Sequence, residues 1–221
     1  MNTLTSSAVS TLLDSLFAKA DLTDGLLRDE FAKRSPEERE AFMEGAKKDY
    51  RAFYGNVREL FLPVSAETGK LLYMLARSSK ARSIVEYGTS FGISTIHLAA
   101  ALKDNGGGKV IGSEFEPGKV TRARENLAAA GLSELVDIRE GDALETLARD
   151  LPQSIDLVLL DGAKVLYPKI LALVEPRLKA GALIIADNAD DSPEFIERIR
   201  DPQNGYLSVQ FSEDVELSIR L

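Results

Sequence analysis

Short apolar runs that alternate with helical patterns occupy the chain from residue 80 onwards, and this alternation constrains the fold more than any other feature. The runs are rich in Val and Ile, and they predict strands at Ser83–Tyr87, Val110–Phe115, Leu135–Arg139, Ile155–Leu160, Ala182–Ala186, Leu207–Phe211 and Val215–Leu221. The fourth run is almost continuously apolar, as is typical of a parallel strand covered on both faces. The alternation therefore predicts an α/β fold in which helices cover a mostly parallel sheet.

The last two runs depart from this alternation. Only Ser212-Glu213-Asp214 separates them, and this connection is too short for a crossover, so they are predicted to form an antiparallel hairpin at one edge of the sheet. Helices are predicted between the earlier runs at about Ile93–Lys103, Lys119–Ala130, Leu144–Arg149 and Leu166–Leu178. Together these elements describe a Rossmann-like doubly wound sheet of seven strands, mostly parallel, with an antiparallel C-terminal hairpin.

The first sixty residues contain amphipathic stretches without β-branched runs, and they are predicted to be helical. Ser35, Pro36 and Glu38 form the clearest helix start, because Ser35 can cap the helix and Glu38 can reach back to complete a capping box. A further helix is predicted from Ser65 to about Ser78. We divide the chain into an N-terminal helical extension, 1–60, and a sheet domain, 61–221, within a single compact unit.

Composition limits the classes of function. The chain has 221 residues and a net charge of −8, which disfavours non-specific binding to nucleic acid or anionic lipid. It has no cysteine and one histidine, which excludes disulfides and thiolate sites and argues against a Ser-His-Asp hydrolase. No apolar run approaches the roughly 20 residues of a membrane span, and the polar start lacks a signal-peptide pattern. We therefore expect a cytoplasmic protein that binds neither nucleic acid nor membrane.

The glycine turn after the first predicted strand is a candidate ligand site, because ligands of open parallel sheets bind at the carboxyl ends of the strands. Gly88 permits a tight turn, Gly92 allows close packing of helix and strand, and the next helix offers N–H groups to an anion. Ser90 replaces the second glycine of a G-x-G-x-x-G motif, which argues against NAD. The alternative is a glycine turn without a ligand.

Acidic residues follow the second and third predicted strands. Glu114 is placed to accept hydrogen bonds from both hydroxyls of a ribose, and Phe115 could lie against an adenine face. Asp142 could accept from an exocyclic amine. Each has a structural alternative: a solvated strand end for Glu114, a core position for Phe115 and a helix N-cap for Asp142.

A second group of polar residues follows the fourth and fifth predicted strands. Asp161, Asp187 and Asn188 form an all-oxygen set suited to magnesium. Asp187 and Asn188 can both bind an ion only if the chain is already turning, because consecutive strand residues point to opposite faces. The alternative is that Asp187 caps a turn and Asn188 holds a left-handed bend.

Lys164 follows Asp161 by three residues and is a candidate general base. A lysine that is partly buried beside a cation has a lowered pKa, which such a base requires. The alternative is a solvated loop lysine. The single histidine, His97, is predicted to pack or cap on the helix after the glycine turn.

Six segments occur in an order that resembles a known enzyme family: FLPVSAETGKLL, IVEYGTSFGISTIHLA, VIGSEFEP, EGDALETL, IDLVLLDGAK and GALIIADN. From about Phe61 to Leu221 the chain resembles the class I S-adenosylmethionine (SAM)-dependent O-methyltransferases, specifically the metal-dependent group that includes catechol O-methyltransferase and caffeoyl-CoA O-methyltransferase. The resemblance implies a methyltransferase domain over 61–221, with SAM as cofactor and a divalent cation such as Mg²⁺.

The resemblance also implies roles for individual residues. Glu86, Gly88, Ser90 and Ser94 would surround the methionine part of SAM, Val64 would touch it, Glu114 would hold the ribose, and Asp142 and Ala143 would meet the adenine. Asp161, Asp187 and Asn188 would be the metal ligands, and Lys164 would be the general base. To the cofactor-binding residues we add Phe115, from its place after Glu114, and Asp161.

The implied reaction is direct transfer of the SAM methyl group to a hydroxyl of a small molecule, such as a catechol or another vicinal diol. The catechol enzymes have a further acidic residue near the C-terminus for which the sequence shows no counterpart. The N-terminal helices could cover the site or form a homodimer. Two alternatives stay open: a nicotinamide-dependent oxidoreductase, and a non-catalytic SAM-binding protein of the same fold.

Overall fold

A seven-stranded mixed sheet forms the centre of the computed structural model, which describes residues 2–212 and 214–221, without the side chains of residues 28, 40, 43, 46 and 47. The strands are β1 Ser83–Tyr87, β2 Lys109–Glu114, β3 Val136–Glu140, β4 Ile155–Leu160, β5 Leu178–Ala186, β6 Tyr206–Gln210 and β7 Glu216–Arg220. Their order is β3-β2-β1-β4-β5-β7-β6. Strands β1 to β5 are parallel, and β7 pairs antiparallel with both β5 and β6. The predicted sheet and hairpin are confirmed; residue 213 of the predicted connection lies outside the described residues.

Helices cover both faces of this sheet. Their bounds are α1 Ser7–Lys33, α2 Pro36–Lys48, α3 Tyr50–Asn56, α4 Ala66–Ser78, α5 Ile93–Asp104, α6 Pro117–Ala129, α7 Ala143–Thr146, α8 Tyr167–Val174 and α9 Pro193–Arg200. Ile84 and Leu157 point into a core shared with α1, α4, α5 and α6. Val85 and Val158 point to the opposite face, where α7, α8 and α9 pack. Among the described residues, no helix has the length and apolar character needed to cross a membrane.

Two predicted helices are longer than the observed ones. The helix predicted to reach Leu178 ends at Val174, because Pro176 has no N–H group with which to continue it. The released residues extend β5, which begins at Leu178 instead of Ala182. Helix α7 ends at Thr146 instead of Arg149; the Arg139 guanidinium binds the carbonyl oxygens of residues 146 and 150, at 2.8 and 2.9 Å, and holds this segment in a bend.

Helix α2 begins with the predicted capping box. The Ser35 hydroxyl oxygen accepts from the N–H of Glu38 at 3.2 Å, and the Ser35 N–H donates to Glu38 Oε2 at 2.8 Å. These two bonds satisfy N–H groups that the first helical turn leaves without partners. The capping prediction for Ser35 is therefore confirmed.

Helix α1 belongs to the main core rather than to a separate layer. Val9, Leu13 and Leu16 are buried in the same cluster as residues of α5. At the end of α5, the Asp104 carboxylate accepts from the N–H and hydroxyl groups of Thr3, at 2.9 and 2.6 Å. The division of the chain at residue 60 stays a prediction, and this packing crosses it.

Candidate active site

The carboxyl ends of β1, β2, β4 and β5 meet along one edge of the sheet. The register places Tyr87 beside Ser113 and Leu160, and Leu160 beside Ala186. The residues that follow these strands therefore reach the same level, where a cavity opens between the strand ends and α3. Sequence-predicted residues that line it are Gly88, Ser90, Glu114, Phe115, Asp142, Ala143 and Asp161. An adjoining recess is lined by Val64, Ser90, Ser94 and Asp161, among others.

Gly88 sits where two backbones approach too closely for a side chain. Its φ is +95°, and a Cβ atom there would lie 2.4 Å from the carbonyl oxygen of Asp161. Gly92, with φ of +85°, faces Ala123 of α6, so it allows two helices, rather than a helix and a strand, to pack closely. The positive φ values explain why glycine occupies both turn positions.

Glu86 lies behind the cavity wall and is fully buried. Its Oε1 accepts from the Ser94 hydroxyl at 2.8 Å, and its Oε2 accepts from the hydroxyls of Thr89 and Thr95 at 2.9 and 2.6 Å. Burial raises the pKa of Glu86 to about 7, although the three hydroxyl donors oppose the shift. In this structure Glu86 holds Ser94 in place, and Ser94 itself lines the recess.

Ser90 connects three parts of the wall. Its φ is +47°, its N–H donates to Glu114 Oε2 at 2.7 Å, and its hydroxyl donates to the carbonyl oxygen of Phe61 at 2.7 Å. Glu114 Oε1 accepts from the N–H of Glu116 at 2.9 Å. The carboxylate of Glu114 is thus held in one orientation at the cavity before any ligand binds.

Asp142 is a helix N-cap, which was the structural alternative considered from the sequence, and it also contacts helix α3. Its Oδ1 accepts from the N–H of Leu144 at 2.9 Å, which makes it the N-cap of α7. Its Oδ2 accepts from the Tyr50 hydroxyl at 2.9 Å and pairs with the Arg51 guanidinium. Burial opposes ionisation of Asp142, but these donors prevail and lower its pKa. Phe115 is 41% exposed and lines the cavity, so it is not a core residue.

The second polar group forms a largely buried cluster of charges around Asp161. Lys164 Nζ donates to Asp161 Oδ1 at 3.0 Å. Burial raises the pKa of Asp161, against the opposing effect of the Lys164 ammonium. Burial and the Asp161 charge raise the pKa of Asp187 to about 7. Lys164 therefore only partly compensates the two carboxylates.

The pKa of Lys164 differs from its predicted direction. Burial lowers this pKa, but the surrounding groups, which include Tyr167, Asp161 and Asp187, together raise it well above the usual value. The prediction of a lowered pKa assumed that a nearby cation dominates the site. In the protein alone these surrounding groups outweigh burial, and they hold Lys164 in its charged form.

Asn188 adopts the left-handed bend that the sequence allowed, with φ of +47°. The chain is therefore turning at this point, which is the condition under which Asp187 and Asn188 can both bind one ion. Asn188 Nδ2 donates to Asp214 Oδ2 at 3.2 Å, which leaves the amide oxygen as the acceptor. Asp214 adds a third carboxylate beside the cluster and raises the pKa of both Asp161 and Asp187.

The donor chemistry of this cluster fits a hard divalent cation. Within the described part of the chain, no three His, Cys, Asp or Glu side chains form a metal-binding group. A cation would therefore need the carboxylates of Asp161 and Asp187, the amide oxygen of Asn188 and non-protein oxygens. Buried carboxylates with raised pKa values are the groups that such an ion stabilises, and all these donors are oxygens.

Several residues of the cavity wall were not predicted as site residues, and three of these are polar side chains on helices. Tyr50 and Tyr54 come from α3, and Lys119 comes from the first turn of α6. Tyr50 and Tyr54 are four residues apart, a spacing that puts two aromatic rings on one helix face, and this was the available signal. Lys119 is almost fully buried, and nothing in its local sequence distinguishes it from a solvated helix lysine.

A protein family described as a methyltransferase domain matches residues 85–189, from β1 to the turn after β5. This range contains the glycine turn, Glu114, Asp142 and the cluster around Asp161. The match and the strand order agree with the Rossmann-like methyltransferase fold. The predicted resemblance to the class I methyltransferases is thereby confirmed.

Two relatives of the chain are catechol O-methyltransferases. The chain is 35% identical over 130 residues to a catechol O-methyltransferase of Niastella koreensis, covering 58% of each protein. It is also 35% identical over 127 residues to a catechol O-methyltransferase of Mycobacterium tuberculosis, covering 58% of this chain and 57% of that protein. The matched part thus spans a little over half the length of these relatives.

A solved structure resembles the chain in fold and, to a moderate degree, in sequence. It is an O-methyltransferase from Streptomyces achromogenes involved in tomaymycin synthesis, crystallised in complex with SAM. The match has a TM-score of 0.64 and 27% identity, and it covers 85% of this chain and 91% of that one. These similarities favour the methyltransferase prediction over the oxidoreductase alternative.

Proposed function

We propose that this protein is a SAM-dependent O-methyltransferase that acts on a hydroxyl of a small molecule and is assisted by a divalent cation. One observation carries the proposal: a single cavity brings the Gly88 turn and Glu114 together with Asp161, whose partner is Lys164. The Gly88 turn and Glu114 suit a nucleoside cofactor, whereas Asp161 and Lys164 suit an acidic hydroxyl. The SAM complex of the Streptomyces relative supports the choice of cofactor.

We propose a separate place in the cavity for each part of SAM. Val64, Ser90 and Ser94 line the recess proposed for the methionine part. Glu114 is proposed to accept from the ribose hydroxyls, for which its carboxylate is already oriented. Asp142, Ala143 and Phe115 surround the end proposed for the adenine, where Phe115 offers an exposed ring.

The charged cluster would hold the cation and the reacting hydroxyl. Asp161, Asp187 and Asn188 are the proposed ligands, and the bound cation would lower the pKa of a catechol-like hydroxyl. Lys164 Nζ is the proposed acceptor of the hydroxyl proton. Because Tyr167 and the nearby carboxylates keep Lys164 charged, their effect must be offset before Nζ can accept that proton. Tyr54, which also lines the cavity, would exclude water from this end.

Calorimetry with SAM, S-adenosylhomocysteine and NADH tests the cofactor. We expect binding of the first two compounds and not of NADH. Absence of binding by SAM and S-adenosylhomocysteine would overturn the proposal, and selective NADH binding would establish the oxidoreductase alternative. SAM binding without methyl transfer to a panel of catechols, flavonoids and hydroxycinnamates would favour the non-catalytic alternative.

Substitutions test the charged cluster. Asp187→Asn and Lys164→Ala are expected to lower the rate of methyl transfer by at least about 100-fold while affinity for S-adenosylhomocysteine changes only a few-fold, because both residues act on the acceptor. Exposed positions provide matched controls: Asp29→Asn and Lys169→Ala should retain transfer. Normal turnover by either cluster variant would reject its proposed role.

A further inference from the structure

Asp24 connects helix α1 to the segment that precedes α4. It is 4% exposed, and its Oδ1 and Oδ2 accept from the N–H groups of Phe61 and Leu62, at 2.9 and 2.7 Å. The hydroxyl of Thr23 donates to Oδ1 at 2.9 Å. A carboxylate that binds two consecutive backbone N–H groups restrains both peptide units at once. Asp24 therefore acts on the backbone of residues 61 and 62.

Leu62 has a conformation that needs such a restraint. Its φ is +44°, in the left-handed region that residues other than glycine rarely adopt. Pro63 follows, and the residue before a proline is normally extended. The bonds from Phe61 and Leu62 to Asp24 oppose relaxation of this turn.

The restrained segment forms a wall of the proposed cofactor cavity. Leu62 lines both the cavity and its recess, beside Gly88 and Ser90. The Phe61 ring stacks on Phe91, with 4.1 Å between ring centroids, and its carbonyl oxygen accepts from the Ser90 hydroxyl. The position of residues 61 and 62 thus determines the surface that faces the recess.

The series of contacts that begins at Asp24 and passes through Phe61 ends at Ser90. Its hydroxyl oxygen accepts from Lys119 Nζ at 3.3 Å, while its N–H holds Glu114. The Lys119 ammonium also lies 5.4 Å from the centre of the Phe91 ring. Displacement of Phe61 would therefore disturb Ser90 and, through it, the carboxylate proposed to bind the ribose.

We propose that Asp24 is a positioning residue for the SAM cavity: from helix α1 it holds Phe61 and Leu62 in the conformation that shapes the cofactor side of the site. This inference rests on the proposed function. It assigns helix α1 a role in cofactor affinity. This role differs from the two roles that the sequence suggested for the N-terminal helices, which were to cover the site or to form a dimer. The contacts that run from Asp24 to Ser90 do not include the residues proposed to bind the methyl acceptor.

Asp24→Asn tests the inference, with Asp14→Asn as a matched control on an exposed position of the same helix. We expect the Kd for S-adenosylhomocysteine and the KM for SAM to rise about tenfold in Asp24→Asn, which corresponds to about 1.4 kcal/mol. The kcat at saturating SAM and the KM for the acceptor should stay within threefold, at a temperature where circular dichroism shows the variant fully folded. Asp14→Asn should match the wild type.

A double-mutant cycle with Leu62→Gly provides a second test. Glycine adopts positive φ without strain, so the effect of Asp24→Asn on SAM affinity should be smaller in the Leu62→Gly background than in the wild type. Equal effects in both backgrounds would contradict a role through the Leu62 backbone. If Asp24→Asn does not fold, Asp24→Glu keeps the charge but displaces it by one methylene, and the same split between cofactor and acceptor constants is expected.

The possible failures are distinguishable. If the wild type does not bind S-adenosylhomocysteine, the proposed function fails and this inference fails with it. If the wild type binds but Asp24→Asn and Asp24→Glu bind as tightly, only the positioning role is overturned. Equal losses in kcat, cofactor affinity and acceptor KM would indicate a general structural role and would also overturn it.

Discussion

Glu86 shows how a site residue can act through its neighbours. Its pKa is raised to about 7 from 4.5, so between about pH 5 and 7 the folded protein keeps a proton that the unfolded chain has released. Stability should therefore fall as the pH rises through this window, by up to about 3 kcal/mol for Glu86. The raised pKa of Asp187 contributes with the same sign.

Glu86→Gln should remove part of this pH dependence, because glutamine stays neutral. The free energy of unfolding in urea, measured at pH 5 and pH 8, is expected to fall less in Glu86→Gln than in the wild type. Glu67→Gln, at an exposed position of α4, serves as the control and should follow the wild type. Parallel pH curves for Glu86→Gln and the wild type would show that Glu86 does not titrate in this range.

Gly88→Ala separates steric contact from backbone strain. The new Cβ would lie 2.4 Å from the carbonyl oxygen of Asp161, so β1 and β4 would have to move apart. Gly131→Ala is the matched control, since Gly131 also has positive φ, +65°, but no atom near the new Cβ. We expect a loss of about 1–2 kcal/mol for the control and a clearly larger loss, with loss of SAM binding, for Gly88→Ala. Equal losses in denaturant melts would contradict the close approach.

At the level of elements, α3 covers the end of the cavity proposed for the adenine. Arg51 and Tyr50 both bind the Asp142 carboxylate, which the proposed function assigns to the adenine amine. The Arg51 side chain is more than half exposed, so solvent screens its ion pair. A ligand that needs Asp142 therefore competes with a weak internal contact.

Arg51→Ala is expected to increase affinity for S-adenosylhomocysteine, because it removes this competitor. Titration calorimetry on Arg51→Ala, with Arg58→Ala as an exposed control from the segment after α3, measures the effect. Reduced affinity in Arg51→Ala alone would show instead that Arg51 contacts the cofactor.

The bounds of the elements show how far local sequence determines structure. Strands β1 and β4 have their predicted bounds, because a mostly apolar run ends in β1 at a glycine turn and in β4 at an Asp-Gly pair. Helix α7 was predicted too long because Arg139, on the preceding strand β3, binds the carbonyl oxygens of residues 146 and 150 and holds the chain in a bend after Thr146. Contacts between elements thus decided bounds that the local pattern left open.

At the level of the whole molecule, the N-terminal helix and the sheet share one core. Val9, Leu13 and Leu16 are buried, and each contributes about 1.5–3 kcal/mol by burial. Their sum is comparable to the total stability of an ordinary domain, about 5–15 kcal/mol. Homodimer formation and cytoplasmic location stay predictions, the first of which light scattering would check.

The fragment 61–221 should therefore fail to fold cooperatively, or should melt far below the full chain. Circular dichroism melting of the fragment and the full chain measures this, and addition of S-adenosylhomocysteine shows whether the fragment retains the cavity. A fragment with the stability of the full chain would establish residues 1–60 as a separable extension.

The sequence by itself determined the fold and the residues at the strand ends. Glu114, Asp161 and Asp187 were found because each lies at or directly after the carboxyl end of a predicted parallel strand, and such ends meet at one edge. Only the tertiary structure decided which distant residues join them: Asp24 binds Phe61 across 37 positions, and Tyr50 binds Asp142 across 92. It also reversed the predicted pKa shift of Lys164. The physical reason is that strand ends follow from local apolar pattern, whereas partners and pKa values depend on charges and burial that only packing brings together.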